Sequence, residues 1–231
     1  MGEVAENIER IRERVEAAAH RSGRSPDSIR IMAVTKNQPR ERVVEAYEAG
    51  MRLFGENRIG EAEEKYAGFH HDAELHMIGH LQRNKASRVV GLLRCVESID
   101  KIETARAIDR RCRSERATME IMIEVNTSGE ETKSGYTSRD QMIRDLEEMT
   151  TLRGLKVVGL MTIAPFVDDP RAVRAAFASL RAERDLLSDR FPTIELRELS
   201  MGMTGDFEIA IEEGSTLVRI GTALFGRRDA P

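Results

Sequence analysis

Lys36 ends the run Ile31-Met32-Ala33-Val34-Thr35-Lys36. Apolar and β-branched residues followed by a lysine read as a buried strand with a cation at its end. Strand side chains alternate, so Lys36 shares a face with Met32 and Val34. Desolvating an ammonium costs several kcal/mol unless it is paired, neutralised or covalently used. A buried lysine of lowered pKa suits imine formation with an aldehyde or ketone. The same spacing also fits a lysine that snorkels to the strand end or pairs with a nearby Glu. Near the other end of the chain, Ser200-Met201-Gly202-Met203-Thr204-Gly205-Asp206 carries two glycines and two hydroxyls, and Ile220-Gly221-Thr222 is a shorter stretch of the same kind. Loops like these present backbone N–H groups to a phosphate; helix capping by Thr204 or Asp206 is the simpler alternative. Arg219 stands two residues before Gly221, and a guanidinium buried there needs a carboxylate, a phosphate or a ring nitrogen.

These residues need a scaffold, and the chain supplies alternating elements. Val4, Ile8, Ile11 and Val15 have helical spacing, and Gly23 supplies a stop, so residues 4–22 are expected to form an amphipathic helix ahead of the first strand. Strands are expected over 31–36, 52–55, 75–79, 94–99, 119–125, 155–163, 194–199 and 217–220. Between them lie helical patterns, including one with Val89, Val90 and Leu93 after the third strand, and a short terminal helix near Ala223. Strands alternating with helices imply right-handed crossovers and a parallel sheet. The expected fold is therefore α/β, a single (β/α)8 TIM barrel with an extra N-terminal helix. The barrel is expected over residues 28–228 of one domain spanning 1–231, with 1–27 as helix and linker.

Composition narrows the function classes. With 231 residues, the chain is long enough to bury a full core. Aromatic residues make up 4% and the formal net charge is −4, which leaves few stacking platforms and argues against a nucleic-acid binder. The first sixteen residues alternate in charge and do not read as a signal peptide, and no run is apolar enough to span a bilayer. Cys95 and Cys112 lack CxxC spacing and read as reduced structural thiols of a cytoplasmic protein. His76 and His80 are four apart, but Leu75 to Gly79 reads as strand, so no helical HxxxH metal site is expected. GxSxG and HExxH motifs are absent from the sequence.

In such a barrel the site lies at the carboxyl ends of the strands, with phosphate after strands seven and eight. Lys36, Asn57, His80, Asn126, Ser200 and Arg219 all fall at or near expected strand ends. A lysine, a phosphate cradle and an arginine at one mouth point to pyridoxal 5′-phosphate. Here the chain resembles a known family. Ala33-Val34-Thr35-Lys36, Phe54-Gly55-Glu56-Asn57, the stretch from Ile78 to Lys85, Asn126 to Gly135, Leu160-Met161, Leu199 to Thr204 and Val218 to Gly226 are similar to the motifs of the YggS/PROSC pyridoxal phosphate homeostasis proteins. That family in turn resembles the N-terminal barrel of alanine racemase. The resemblance implies Lys36 as the imine lysine and Arg219 as the partner of the pyridine nitrogen. It implies phosphate contacts from Ser200, Gly202, Gly221 and Thr222, with Asn57 and Met201 beside the cofactor. Lys85 and Lys133 fall in family motifs as further basic groups near the mouth or as solvated surface lysines.

Three functions compete on this reading. The first is a non-enzymatic carrier that holds pyridoxal 5′-phosphate as an imine and supplies apo-enzymes in cytoplasmic vitamin B6 homeostasis, acting as a monomer. The second is a small amino-acid racemase, and the third a sugar- or nucleotide-phosphate barrel enzyme whose lysine only pairs with phosphate. Racemisation needs a second base, which alanine racemases take from an additional domain. This sequence ends at Pro231, and only Tyr136 among its three tyrosines falls in a loop after a strand. The carrier is therefore the expected function, weak racemisation with Lys36 as one base remaining compatible with it.

Overall fold

In the computed structural model, residues 2–130 and 132–226 are described; Glu131 and the expected barrel end at Arg227 and Arg228 lie outside them. Eight strands, β1 (Arg30–Val34), β2 (Leu53–Glu56), β3 (Glu74–Met77), β4 (Cys95–Ile99), β5 (Met119–Glu124), β6 (Leu155–Met161), β7 (Glu198–Ser200) and β8 (Leu217–Ile220), follow one another around a closed barrel. Every pairing is parallel, and β1 closes against β8 with Met32 opposite Arg219. The helices are α1 (Glu3–Arg21), α2 (Arg40–Glu48), α3 (Ile59–Tyr66), α4 (Ile102–Glu115), α5 (Arg139–Met149), α6 (Pro170–Arg190), α7 (Phe207–Glu212) and α8 (Thr222–Phe225).

The expected (β/α)8 barrel is thus observed, with two local departures. The crossover between β3 and β4 is a 3-10 helix over Arg83–Arg88 rather than an α-helix through Val89 and Leu93. Its buried Ala86 lies three residues before buried Val89 at its C-cap, the repeat of a 3-10 helix, and the chain has to turn again at Gly91. The seventh strand begins only at Glu198, because the chain turns at Pro192 and Thr193 and Glu195 to Arg197 is irregular, with the Arg197 N–H donating to the Glu195 carbonyl at 3.0 Å.

Strand alternation sorts side chains into two populations. Ala33, Phe54, Val96, Ile121, Ile123, Leu199 and Val218 face the helices and join the main core. Met32, Val34, Leu53, Cys95, Met122, Val158 and Leu217 form a separate cluster that fills the barrel interior. The N-terminal helix has a structural task. α8 is a single turn, and α1 packs against α2, α7 and α8 over the seam where β8 meets β1. Val4, Ile8, Ile11, Val15 and Ala18 form its buried stripe, and Asn7 Nδ2 donates to the Leu224 carbonyl at 2.8 Å. Both cysteines are free and buried.

Candidate functional site

At the carboxyl ends of the strands lies a cavity of about 450 Å3, within the usual range of small-molecule sites. Lys36, Asn57, Arg219, Gly221 and Thr222 line it together with Val34, Ile78, Met203, Thr204 and Gly205. Strand β1 ends at Val34, so Lys36 sits just past it, after a last ladder bond from the Thr35 N–H to the Gly55 carbonyl at 3.0 Å. Val34 and Ile78 provide apolar wall, and Ile163 and Phe166 extend it to an exposed rim. The two glycine-bearing loops are tied together, since the Ala223 N–H donates to Thr204 Oγ1 at 3.3 Å. A Cβ built on Gly205 would meet nothing within 4 Å, so this part of the wall is bare backbone at the cavity.

Ser200, Met201 and Gly202 are not brought to the cavity wall. Ser200 faces the barrel interior, fully buried, where it donates to Glu97 Oε2 at 2.5 Å and accepts from Arg219 Nη1 at 2.6 Å. Its hydroxyl is thus engaged by these two charges below the cavity. Met201 faces the helices and belongs to the outer core rather than the cavity. Gly202 is glycine for packing: its φ is +96°, and a Cβ would come within 2.5 Å of Ala210 Cβ. Gly221 is different. Its φ is −112°, and a Cβ there would make ordinary contacts of 3.5 Å or more with Val34.

Below the cavity runs a polar layer contributed by four strands. His76 (β3), Glu97 (β4), Ser200 (β7) and Arg219 (β8) all occupy inward positions. His76 Nδ1 lies 2.7 Å from Glu97 Oε1, and Arg219 Nη2 donates to the Thr162 carbonyl at 2.8 Å. Burial pushes the Glu97 carboxyl up, but His76, Arg219 and Ser200 together outweigh it and hold the group below its usual range. Burial also lowers Arg219, against the pull of Glu97, Asp206 and Glu124, although a guanidinium stays protonated in any protein environment. His76 is therefore a hydrogen-bond partner of Glu97, while His80 is exposed beside Asp100, at 3.6 Å from its carboxylate. Among the described residues no group of three or more His, Cys, Asp or Glu is placed to hold a metal ion.

A second buried cluster supports the turn that carries Lys36. Lys65 on α3 donates to the Thr35 carbonyl at 2.7 Å, to Glu56 Oε1 at 2.9 Å and to Glu61 Oε2 at 3.0 Å. Thr35 Oγ1 contacts Glu56 and the Tyr66 hydroxyl, at 2.6 and 2.7 Å. Glu61 also accepts at 2.9 Å from the N–H of Asn37, whose φ is +58°. Burial raises the Glu56 carboxyl, with Thr35 and Lys65 opposing. Spacing alone singles out neither Lys65 nor Glu97. The available signal is a charged residue at a period-two position of an apolar strand for Glu97, and an i, i+4 pair of Glu61 and Lys65 on α3.

Tyr136, the tyrosine weighed as a second base, lines neither this cavity nor the one beside it. Its hydroxyl donates to Asp145 Oδ2 at 2.7 Å on α5, and burial together with that carboxylate pushes its pKa up. Lys133 is held by the Ala164 carbonyl at 3.0 Å and by Glu130 at 2.7 Å. Lys85 faces a different depression, with Arg58 and Gln82.

Comparisons with known proteins give the family of the fold. Residues 4–229 match the family described as alanine racemase, N-terminal domain. The chain is 40% identical over 225 residues to the pyridoxal phosphate homeostasis protein of Aquifex aeolicus, covering 96% of this chain and 97% of that one. It is 37% identical over 242 residues to the protein of the same name from Escherichia coli K12, covering 99% and 98%. Among solved structures, PipY of Synechococcus elongatus with PLP bound superposes with a TM-score of 0.85 at 32% identity, over 96% of this chain and 100% of that one. By fold and by full-length similarity, the chain belongs to the alanine racemase N-terminal domain family and, within it, to the pyridoxal phosphate homeostasis proteins.

Proposed function

We propose that the chain binds pyridoxal 5′-phosphate at the barrel mouth through Lys36, holds it, and supplies it to apo-enzymes without turning over amino acids itself. The observation that carries this reading is the convergence of Lys36, buried Arg219 and the loops bearing Thr204, Gly205, Gly221 and Thr222 on one cavity. An amine, a fixed guanidinium, hydroxyls, bare backbone and apolar walls suit a phosphorylated aromatic aldehyde. The relatives add support, since PipY has been solved with PLP bound and the Aquifex protein carries the homeostasis name.

When bound, the cofactor supplies an aldehyde that condenses reversibly with a lysine amine. Lys36 supplies that amine, on a turn braced from below by Lys65 through the Thr35 carbonyl. Thr204, Gly221 and Thr222 receive the phosphate, and Asn57 lies beside the ring. Ser200 acts indirectly, by orienting Arg219 toward the ring nitrogen. Arg219 donates an N–H and keeps its own proton, so the ring nitrogen stays an acceptor and the ring remains a poor electron sink. Such a site favours holding over turnover, and the commitment of Tyr136 to Asp145 leaves racemisation without the tyrosine base weighed for it. The buried free thiols of Cys95 and Cys112 suit a cytoplasmic protein, which we take to work as a monomer.

Borohydride reduction of the loaded protein followed by peptide mapping tests this reading. The reduced adduct is expected on Lys36, and Lys36→Ala is expected to lose the imine absorbance while remaining folded. An adduct mainly on Lys85 or Lys133 would refute it.

A further inference from the structure

Beside the first cavity lies a second of about 210 Å3, whose wall includes His80, Glu124, Val125, Asn126 and Lys133. Asn57, Ile78 and Ile163 line both, so the two cavities are adjacent compartments of one mouth. Glu124 is the group that the cofactor reading leaves unused. It ends β5 in the inward register of Met122 and is 5% exposed. Among the described residues its carboxylate has neither a hydrogen bond nor an ion pair, although Glu97 and Arg219 of the polar layer are linked by hydrogen bonds through Ser200. The charged and titratable groups around it are Asp100 after β4, Arg219 on β8, and His80 and Lys133 on the cavity wall. Burial and the repulsion of Asp100 raise its pKa to about 7, with Arg219 opposing.

A buried carboxylate without a partner is a site that lacks its complement. The negative field of Glu124 and Asp100 selects a cation with N–H donors. Among the described residues no set of three metal-ligating side chains is present, which disfavours a metal ion as that cation. Ile78, Val125 and Ile163 offer apolar surface for a short alkyl body. Lys133 is already held by Glu130 and the Ala164 carbonyl, so it does not fill the place beside Glu124.

We propose that this second cavity receives the ammonium group of a small primary amine, and that Glu124 takes a proton from it so that the free amine can displace Lys36 from the cofactor. The inference rests on the pyridoxal 5′-phosphate reading above. In the step, R–NH3+ gives one proton to the Glu124 carboxylate. The amine nitrogen then attacks the imine carbon, a C=N bond to the amine forms as the one to Lys36 breaks, and the two amine protons pass to Lys36 Nζ. Lys36 leaves as a neutral amine and Glu124 as a carboxylic acid, so atoms and charge balance with no further reactant. The compartment is thereby the entrance for the exchange reaction that a carrier needs.

The test is rapid mixing of the loaded protein with propylamine, following loss of the Lys36 imine absorbance. Wild type and the control Lys85→Ala are expected to show saturable exchange. Glu124→Gln is expected to lose saturation and to exchange about 10²-fold more slowly, the lower range for removal of a general base. A second measurement needs no cofactor: in the unloaded protein the Glu124 carboxyl carbon resonance is expected to shift saturably as propylamine is added. Equal, saturable exchange in Glu124→Gln and wild type, or an unmoved Glu124 resonance, overturns the inference and leaves the cofactor reading standing. A wild type that forms no reducible adduct on Lys36 overturns the cofactor reading and the inference with it.

Discussion

Glu97 and Glu124 stand on adjacent strands, point into the same barrel and are both buried, yet they sit in opposite electrostatic states. Glu97 is held below its usual range by His76, Arg219 and Ser200 despite complete burial. Glu124 is raised to about 7 by burial and by Asp100, with Arg219 opposing. Depth alone does not set the charge of a buried acid; the donors that reach it do. One carboxylate is part of the frame that fixes Arg219, while the other is left ready to exchange a proton.

The contrast has opposite consequences for pH. The folded pKa of Glu97 is depressed, so its stabilisation is present above its unfolded value and is lost as pH falls. The folded pKa of Glu124 is raised, so its contribution is most favourable below its usual 4.5 and declines as pH rises toward about 7.

The largest effect is expected from breaking the paired member. Glu97→Ala leaves Arg219 buried without its anion and His76 Nδ1 without its hydrogen-bond partner, and should lose about 3–5 kcal/mol in urea denaturation. A loss below about 1 kcal/mol would show that Arg219 finds another acceptor and that the polar layer is not a unit. Glu124→Gln sharpens the comparison in the other direction. The raised pKa corresponds to roughly 3 kcal/mol of lost stability above neutrality. The variant should gain about 1–3 kcal/mol in alkaline buffer and flatten the decline of stability between 4.5 and about 7. An unchanged profile would mean that Glu124 is solvated as an ordinary surface acid. A variant more stable yet slower in amine exchange would be a local trade of stability against function.

The smallest expected effect comes from Ser200→Ala, which removes one bond to each of Glu97 and Arg219 but leaves Arg219 on the Thr162 carbonyl. Stability should fall by about 1.5 kcal/mol. Affinity for pyridoxal 5′-phosphate should fall less than in Thr204→Val, whose hydroxyl lines the cavity. The reverse ranking would restore Ser200 as a direct phosphate contact.

Much of the molecule is written locally in the chain. The alternation of apolar runs with 3.6-residue stripes yields the barrel and its parallel order, because side-chain periodicity reports which face each element must bury. The positions of Lys36, Asn57, Arg219, Gly221 and Thr222 at the mouth follow from the same rule, since ligands of this fold collect at carboxyl strand ends. The third crossover escapes it because Ala86 and Val89 serve a short 3-10 turn as well as they would serve an α-helix.

What the chain does not write locally is which inward polar group meets which. Ser200 has the right type and place for a phosphate contact, but closure of the barrel sets it against Glu97, 103 residues away in sequence, and against Arg219. Gly202 has the type expected of a phosphate loop, yet the packing of α7 against that loop is what demands glycine. Lys65 becomes the brace of the Lys36 turn only when α3 folds back over the end of β1. Periodicity tells each residue which way to face; only the closed sheet decides what it faces, because hydrogen bonds and ion pairs act over about 3–4 Å and strands far apart in sequence reach that distance only after folding.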